Sequence, residues 1–159
     1  TRARKQLISL DDTPYYHCIA RCVRRSFLCG KDKYTGKDFN HRRQWLVDQF
    51  KFQTEIFCIE VAAYAVMNNH YHLVLFVNAE KALNISDKGV AVRWTQLFHG
   101  PLLIQRFIQG QALTEAEQLT VDDIVALWRI RLMDISWFMR YLNEHIARRA
   151  NKEDNCKGR

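Results

Sequence analysis

The length and composition of the chain predict one soluble domain with a buried core. Its 159 residues are 48% hydrophobic and 26% charged. A mean hydropathy of −0.32, with no apolar run of membrane-spanning length, excludes an integral membrane protein. We expect no signal peptide, because no apolar stretch follows the basic residues 1–5, and therefore a cytoplasmic protein.

The formal net charge of +7 is unevenly distributed along the chain. Residues 1–60 hold 12 Lys/Arg against 7 Asp/Glu, and residues 134–159 hold 6 against 4, whereas residues 61–133 hold 6 of each. A basic patch favours partners that carry phosphate, although an ordinary basic surface has the same composition.

The five cysteines include no Cys-x-x-Cys pair. Cys18 and Cys22 would share one face of a strand, which leaves a metal role open. Buried thiols in a reducing cytosol are the better prediction, since unpaired cysteine behaves as a small apolar residue.

The first half of the chain predicts strands around one helix. After an arm over residues 1–14, the stretch 15–29 is rich in aromatic and β-branched residues, as strands are. A Gly-containing loop over 30–37 follows, and Asn40 can cap a helix that runs to about Phe52.

Two further strands are predicted to form a β-hairpin. Apolar runs over 59–66 and 70–77 flank Met67-Asn68-Asn69. Asn tolerates the backbone conformations that tight turns require, so this tripeptide is the predicted turn.

The second half predicts helices. Four helices are predicted. The first starts at Asp87 and ends near Gly100-Pro101, the second covers 102–109, and the third covers 121–133. The fourth runs from Ile135 to about Ala150, with Asp134 as its cap. Thr114 with Glu117 fits a capping box, and Thr120 with Asp123 fits one less well.

The last predicted helix has a clear apolar stripe. Its members are Ile135, Phe138, Met139, Leu142 and Ile146. Strands followed by helices in this order predict an α+β fold, an antiparallel sheet with helices on one side. In this reading 15–77 is the sheet core, 78–133 a helical insertion and 134–159 the final helix and tail.

His70 and His72 are the strongest functional signal in the sequence. They open an apolar strand, and residues two apart in a strand point to the same face. Imidazole is a common metal ligand, and nothing structural requires two polar rings at this position. Two ligands are too few, so a third must come from elsewhere. An ordinary pair of surface histidines is the alternative.

Three segments together resemble one protein family. They are Ala65–Val74, with His-hydrophobic-His at its centre, Tyr16–Phe27, and Ile135–Leu142, whose pattern is continued by Arg148 and Asn151. Similar segments form the His-hydrophobic-His (HUH) motif, the first strand and a Leu-Ser-x-Phe-Met-x-x-Leu helix of HUH transposases. The REP-associated tyrosine transposases and their insertion-sequence relatives are the most similar group. That family commonly has Pro where Asn68 stands.

The resemblance implies a ferredoxin-like core, with the histidine pair on a central strand, and an enzyme of DNA transposition. Such transposases are endonucleases and strand transferases for single-stranded or hairpin DNA. A tyrosine hydroxyl attacks a backbone phosphate and forms a 5′-phosphotyrosine while the 3′-hydroxyl leaves. A divalent cation polarises the phosphate, and the resemblance implies Mg²⁺ or Mn²⁺, held in part by His70 and His72.

Tyr141 is one candidate for the nucleophile. It lies on a predicted helix with His145 four residues later on the same side, so one helix would supply a nucleophile and a third metal ligand. In the family, however, both groups lie on a further helix, C-terminal to the one that Ile135–Leu142 resembles. We therefore expect the catalytic tyrosine beyond Arg159 and a fragment that lacks its catalytic helix.

Six arginines are predicted to contact DNA, although a solvated basic edge would have the same pattern. They are Arg21, Arg24, Arg25, Arg140, Arg148 and Arg149. Other functions stay open: a domain that binds single-stranded or hairpin DNA without cutting it, a replication-initiator-like or relaxase-like nickase, and an unrelated zinc hydrolase. The insertion 78–133 could pack over the sheet, extend the DNA-binding surface or form a homodimer contact.

Overall fold

The computed structural model describes residues 8–21, 28–32 and 35–155 and folds them into an antiparallel sheet with six helices. The elements are β1 (Tyr15–Arg21), α1 (His41–Ile56), β2 (Ile59–Val66), β3 (His70–Val77), α2 (Ala79–Asn84), α3 (Asp87–Thr95), α4 (Leu102–Ile108), α5 (Glu115–Leu132) and α6 (Ile135–Glu153). The strand order is β1-β3-β2, so β3 is central. The predicted α+β class is confirmed, and β1, α1, β2 and β3 follow one another as in a ferredoxin-like fold.

The predicted hairpin forms at the predicted turn. The backbone amide of Met67 donates to the carbonyl of His70 at 2.8 Å, which closes the turn between β2 and β3. The amides of Leu28 and Cys29 donate to the carbonyl of Asn68 at 2.6 and 3.1 Å. Gly30 packs so closely that a Cβ there would lie 2.8 Å from the Asn68 side chain. The turn is therefore held by its own hydrogen bond and by the contacts from residues 28–30.

One face of the sheet is covered by α1 and α6. Residues of β3 alternate between partly exposed and buried, and the buried set begins with Tyr71, Leu73 and Leu75. All five residues of the predicted α6 stripe are buried and belong to the same core, as are Leu46 and Phe50 of α1. The other face carries His70 and His72.

The stretch 78–133 builds a second apolar core. Helices α2 to α5 bury their apolar residues together with Ile56, the last residue of α1, and Cys58, the residue before β2. The helical members are Ala82, Val90, Ala91, Trp94, Ile104, Val121, Val125, Trp128 and Leu132. The ring of Trp94 stacks against Phe98 and Trp128, with centroid distances of 4.5 and 5.8 Å. Trp137 packs against both cores, so the helical part joins the sheet part through the start of α6.

Two partly buried arginines bond to the ends of helices in this part of the molecule. Arg93 donates to the backbone carbonyls of Glu55 and Ile56 at the end of α1. Arg129 donates to the carbonyls of Ala82 and Ile85 at 2.5 and 2.6 Å, at the end of α2. The last carbonyls of a helix lack partners within it, so a guanidinium that bonds two of them stabilises the helix end.

A buried arginine also joins the start of α1 to the end of α6. The side chain of Arg42, only 3% exposed, forms ion pairs with Glu153 at 2.6 Å and Asp154 at 2.5 Å. Its guanidinium lies 4.3 Å from the centroid of the Phe39 ring. These contacts hold the C-terminal end of α6 against the first turn of α1.

Several predicted boundaries are wrong. β1 ends at Arg21, and Leu28 and Cys29 lie in a bend rather than in the predicted strand, while residues 22–27 are outside the described ranges. α5 begins at Glu115, where Thr114 forms the capping box, and not at Val121. Because the Thr120 hydroxyl lies inside α5 and donates to the carbonyl of Ala116, the second capping box does not exist.

The other helices depart less from prediction. α1 continues to Ile56, and Asn40 precedes it without a side-chain capping bond. α3 stops at Thr95, and α2 has no counterpart in the prediction. Asp134 caps α6 as predicted, accepting from the amides of Ser136 and Trp137, but the helix runs on to Glu153. No helix in the described part of the chain is both long and apolar enough to cross a membrane.

The cysteines in the described ranges are buried thiols. Cys18, Cys29 and Cys58 all lie in the interior, and burial raises the pKa of the Cys58 thiol. Cys22 and Cys156 lie outside the described residues. The three thiols are therefore buried packing groups, as the sequence predicts.

Candidate metal and nucleic-acid site

The two predicted histidines lie together on the open face of the sheet. His70 and His72 alternate in β3 with the buried Tyr71 and Leu73, so the pleat turns both imidazoles away from α1 and α6. Their ring centroids are 5.0 Å apart, and the rings are inclined by 66°. The prediction that both rings share one face of a central strand is confirmed.

A third histidine, which the sequence did not predict for this site, joins the pair from β1. Antiparallel pairing sets Ile19 opposite His72, so His17 lies diagonally across from His72 on the same face. The His17 Nε2 and His72 Nδ1 atoms are 2.8 Å apart, and the two rings stack with a centroid distance of 5.0 Å. One of the two nitrogens carries a hydrogen and donates the hydrogen bond, and the other accepts it.

The tautomer of His70 follows from its neighbour in the turn. The Asn69 Oδ1 atom lies 2.6 Å from His70 Nδ1, and a carboxamide oxygen can only accept. His70 therefore carries its proton on Nδ1 when neutral and presents an unprotonated Nε2. Histidine ligands in metal sites are commonly oriented in this way by a hydrogen bond to the second ring nitrogen.

These histidines do not complete a metal site. Within residues 8–21, 28–32 and 35–155, no group of three or more His, Cys, Asp or Glu side chains is placed to hold a metal ion. The contact between His17 and His72 is a hydrogen bond, so both nitrogens in it are occupied. Among the residues that the structure describes, the site offers imidazole donors but lacks the carboxylates typical of Mg²⁺ sites. A cation held here needs further ligands.

Basic and aromatic side chains share the open face. Arg21 is exposed and pairs in register with His70, at the end of β1. Tyr15 and Ile19 are about half exposed on the same strand, and the Tyr15 ring packs on Phe76 with a centroid distance of 5.0 Å. Arg24 and Arg25, also predicted to contact DNA, lie outside the described residues.

Tyr141 lies on the opposite side of the sheet. The Tyr71 hydroxyl, which points away from the histidine face, donates to Asn143 of α6 at 2.7 Å, so α6 lies beneath the sheet. Tyr141 packs its ring on Phe98 there, with a centroid distance of 5.5 Å. Tyr141 and the histidine pair of the same chain therefore do not form one site.

The surroundings of Tyr141 also disfavour a nucleophile. Burial, reinforced by the Glu144 carboxylate, raises the pKa of its hydroxyl, whereas an attacking phenolate needs a lowered pKa. Burial, with a contribution from Arg149, lowers the pKa of His145 below its usual 6.5. The predicted DNA contacts Arg140, Arg148 and Arg149 are exposed on this same helix, away from the histidines.

The chain matches no protein-family model, no curated protein and no solved structure. The resemblance to HUH transposases therefore depends on the residues of the three segments themselves.

Proposed function

We propose that this chain is a cytoplasmic protein that binds single-stranded or hairpin DNA and contributes to its metal-dependent cleavage and rejoining, as in DNA transposition. The observation that supports this most directly is the pair of His70 and His72 rings on one open face of the central strand. Arg21 beside His70 adds a positive charge for a phosphate.

His70 and His72 are the residues that would hold the cation. His70 presents Nε2, and the other ligands come from DNA phosphate oxygens, water or a residue outside the described ranges. A bound cation would polarise the scissile phosphate. Mg²⁺ and Mn²⁺ follow from the resemblance, while imidazole donors alone suit Zn²⁺ as well.

The first experiment measures metal binding. Isothermal titration of the protein with Mn²⁺ and Zn²⁺, with and without single-stranded DNA, should show a site that His70→Ala and His72→Ala each abolish. Asn69→Ala should weaken it by about 10- to 100-fold, because Asn69 orients the His70 ring. His41→Ala is the matched control, since His41 is an exposed histidine on α1, which covers the opposite face of the sheet. Unchanged affinity in both sheet variants would exclude this site.

A domain that binds DNA without cutting it is the second candidate. Two observations favour it for the chain as it stands: Tyr141 is on the wrong side of the sheet, and the described residues provide no third protein ligand. Incubation with labelled single-stranded DNA and Mn²⁺, followed by a denaturing gel, distinguishes the two functions. We expect binding without a covalent adduct from residues 1–159. An adduct that disappears in Tyr15→Phe or Tyr141→Phe would show that this chain carries its own nucleophile.

A further inference from the structure

A groove on the helical side of the molecule has the chemistry of a second ligand site. It has a volume of about 900 Å³ and lies between α6 and the segment Leu97–His99 that follows α3. This volume is in the range of ligand clefts, about 300–1,000 Å³. We call it the α6 groove. Because α6 packs beneath the sheet, the groove does not share a surface with the histidine pair.

The α6 groove is strongly basic. Four cations line it, Arg140, Arg148, Arg149 and Lys152, against one carboxylate, that of Glu144, which pairs with Arg148. The insertion that contributes the opposite wall is neutral overall. The excess charge is therefore concentrated on one face of α6, where a polyanion would bind.

Two of these arginines are held by aromatic rings instead of acids. The guanidinium of Arg149 lies 4.1 Å from the centroid of Trp45, and that of Arg140 lies 5.3 Å from Trp137. Among the described residues neither forms an ion pair. Stacking orients a guanidinium while its N–H groups stay able to bond a phosphate.

The groove also offers aromatic surface. Phe98 and Tyr141 meet edge to face within it, with an interplanar angle of 72°. Aromatic rings beside cations are how proteins bind unpaired nucleotides, whose bases stack while their phosphates meet the charges. A duplex keeps its bases stacked internally, and an acidic peptide has no bases to stack.

We propose that the α6 groove binds a short stretch of unpaired nucleic acid, with a base against Phe98 and Tyr141 and phosphates on Arg140 and Arg149. The proposal extends the proposed function, since it adds a second contact for a DNA strand, but it needs neither the histidines nor a metal. A strand that engages both sites must pass around an edge of the molecule.

The test is fluorescence anisotropy with a labelled oligothymidine of about six nucleotides in EDTA. Tyr141→Leu should weaken binding about tenfold, as the loss of one stacked base does. Arg140→Gln and Arg149→Gln should each lower the slope of log K against log salt by about 0.7. Arg131→Gln is the matched control, because its guanidinium also lies over Trp137, at 4.7 Å, yet does not line the groove.

Circular dichroism and urea unfolding of each variant separate loss of binding from loss of fold. Equal effects of Arg140→Gln and Arg131→Gln, or equal affinity for the same length of duplex or for polyglutamate, would overturn the proposal. His70→Ala/His72→Ala should leave this EDTA-resistant binding intact. If the protein binds oligothymidine in the groove but binds no metal at the histidines, the result counts against the proposed function alone. If it binds metal at the histidines but no oligothymidine in the groove, the result counts against the groove proposal alone.

Discussion

The ion cluster around Arg42 predicts which of its members can be removed with the smaller loss of stability. The Arg42 side chain is 3% exposed, whereas the carboxylate side chains of Glu153 and Asp154 are 35% and 34% exposed. Removing the acids leaves a buried guanidinium without two of its partners. Removing the arginine leaves two carboxylates that water can reach. We therefore expect Glu153→Ala/Asp154→Ala to lower the free energy of unfolding by more than Arg42→Met does.

The magnitudes follow from burial. Leaving a buried charge without its partner costs about 3–5 kcal/mol, and the lower end applies here because the acids are partly solvated and Arg42 also stacks on Phe39. Arg42→Met keeps most of the side-chain volume, so it should cost about 1 kcal/mol. The triple variant Arg42→Met/Glu153→Ala/Asp154→Ala should be close to Arg42→Met alone.

Urea unfolding with unchanged m-values measures these differences. Arg148→Met is the control, because Arg148 forms an exposed i,i+4 pair with Glu144 on the same helix and should change the free energy of unfolding by less than about 0.5 kcal/mol. If Arg42→Met is as destabilising as the double acid variant, the unpaired buried guanidinium is not the main source of the destabilisation, and the reasoning fails.

Three more predictions concern single side chains. Gln49 has a buried Nε2 without a hydrogen-bond partner in the described part of the chain, so Gln49→Met should raise the free energy of unfolding by about 1 kcal/mol in urea titrations; a loss would mean that this amide is satisfied. Thr114→Ala should cost about 1 kcal/mol by the same assay, and Thr120→Ala much less, because only Thr114 caps α5; equal costs would contradict the single capping box. Burial and Arg149 hold the pKa of His145 below 6.5, so the unfolded chain takes up a proton first as pH falls, and stability should decline below about pH 6.5. His145→Gln should flatten that decline, and an NMR titration with a pKa of 6.5 or more would contradict it.

The sequence predicted what depends on local periodicity. Alternation along 70–77 correctly placed His70 and His72 on one face, and the helical stripe correctly chose the buried side of α6. His17 could not be assigned to the site, because its position beside His72 depends on the register between strands more than fifty residues apart in the chain. A signal existed in retrospect, since His17 and Arg21 share one face of β1.

The α6 groove could not be predicted for a similar reason. One wall comes from Leu97–His99, and no local pattern says where a loop after a helix will pack. The same is true of Tyr141. Its spacing to His145 suggested one catalytic helix, but only the tertiary packing of α6 beneath the sheet shows that neither residue faces the histidine pair.

The placement of the tryptophans has a spectroscopic consequence. Trp94, Trp128 and Trp137 form one group of contacting rings where the two cores meet. Trp94 stacks on Trp128 and meets Trp137 edge to face, with a centroid distance of 5.3 Å. Trp45, the fourth, lies on α1 beneath Arg149. Three of the four tryptophans that contribute to the intrinsic fluorescence therefore lie where the sheet part meets the helical part. In a Trp45→Phe protein the emission would come from these three tryptophans alone. Trp45 itself would respond to a ligand that displaces Arg149, a residue of the α6 groove.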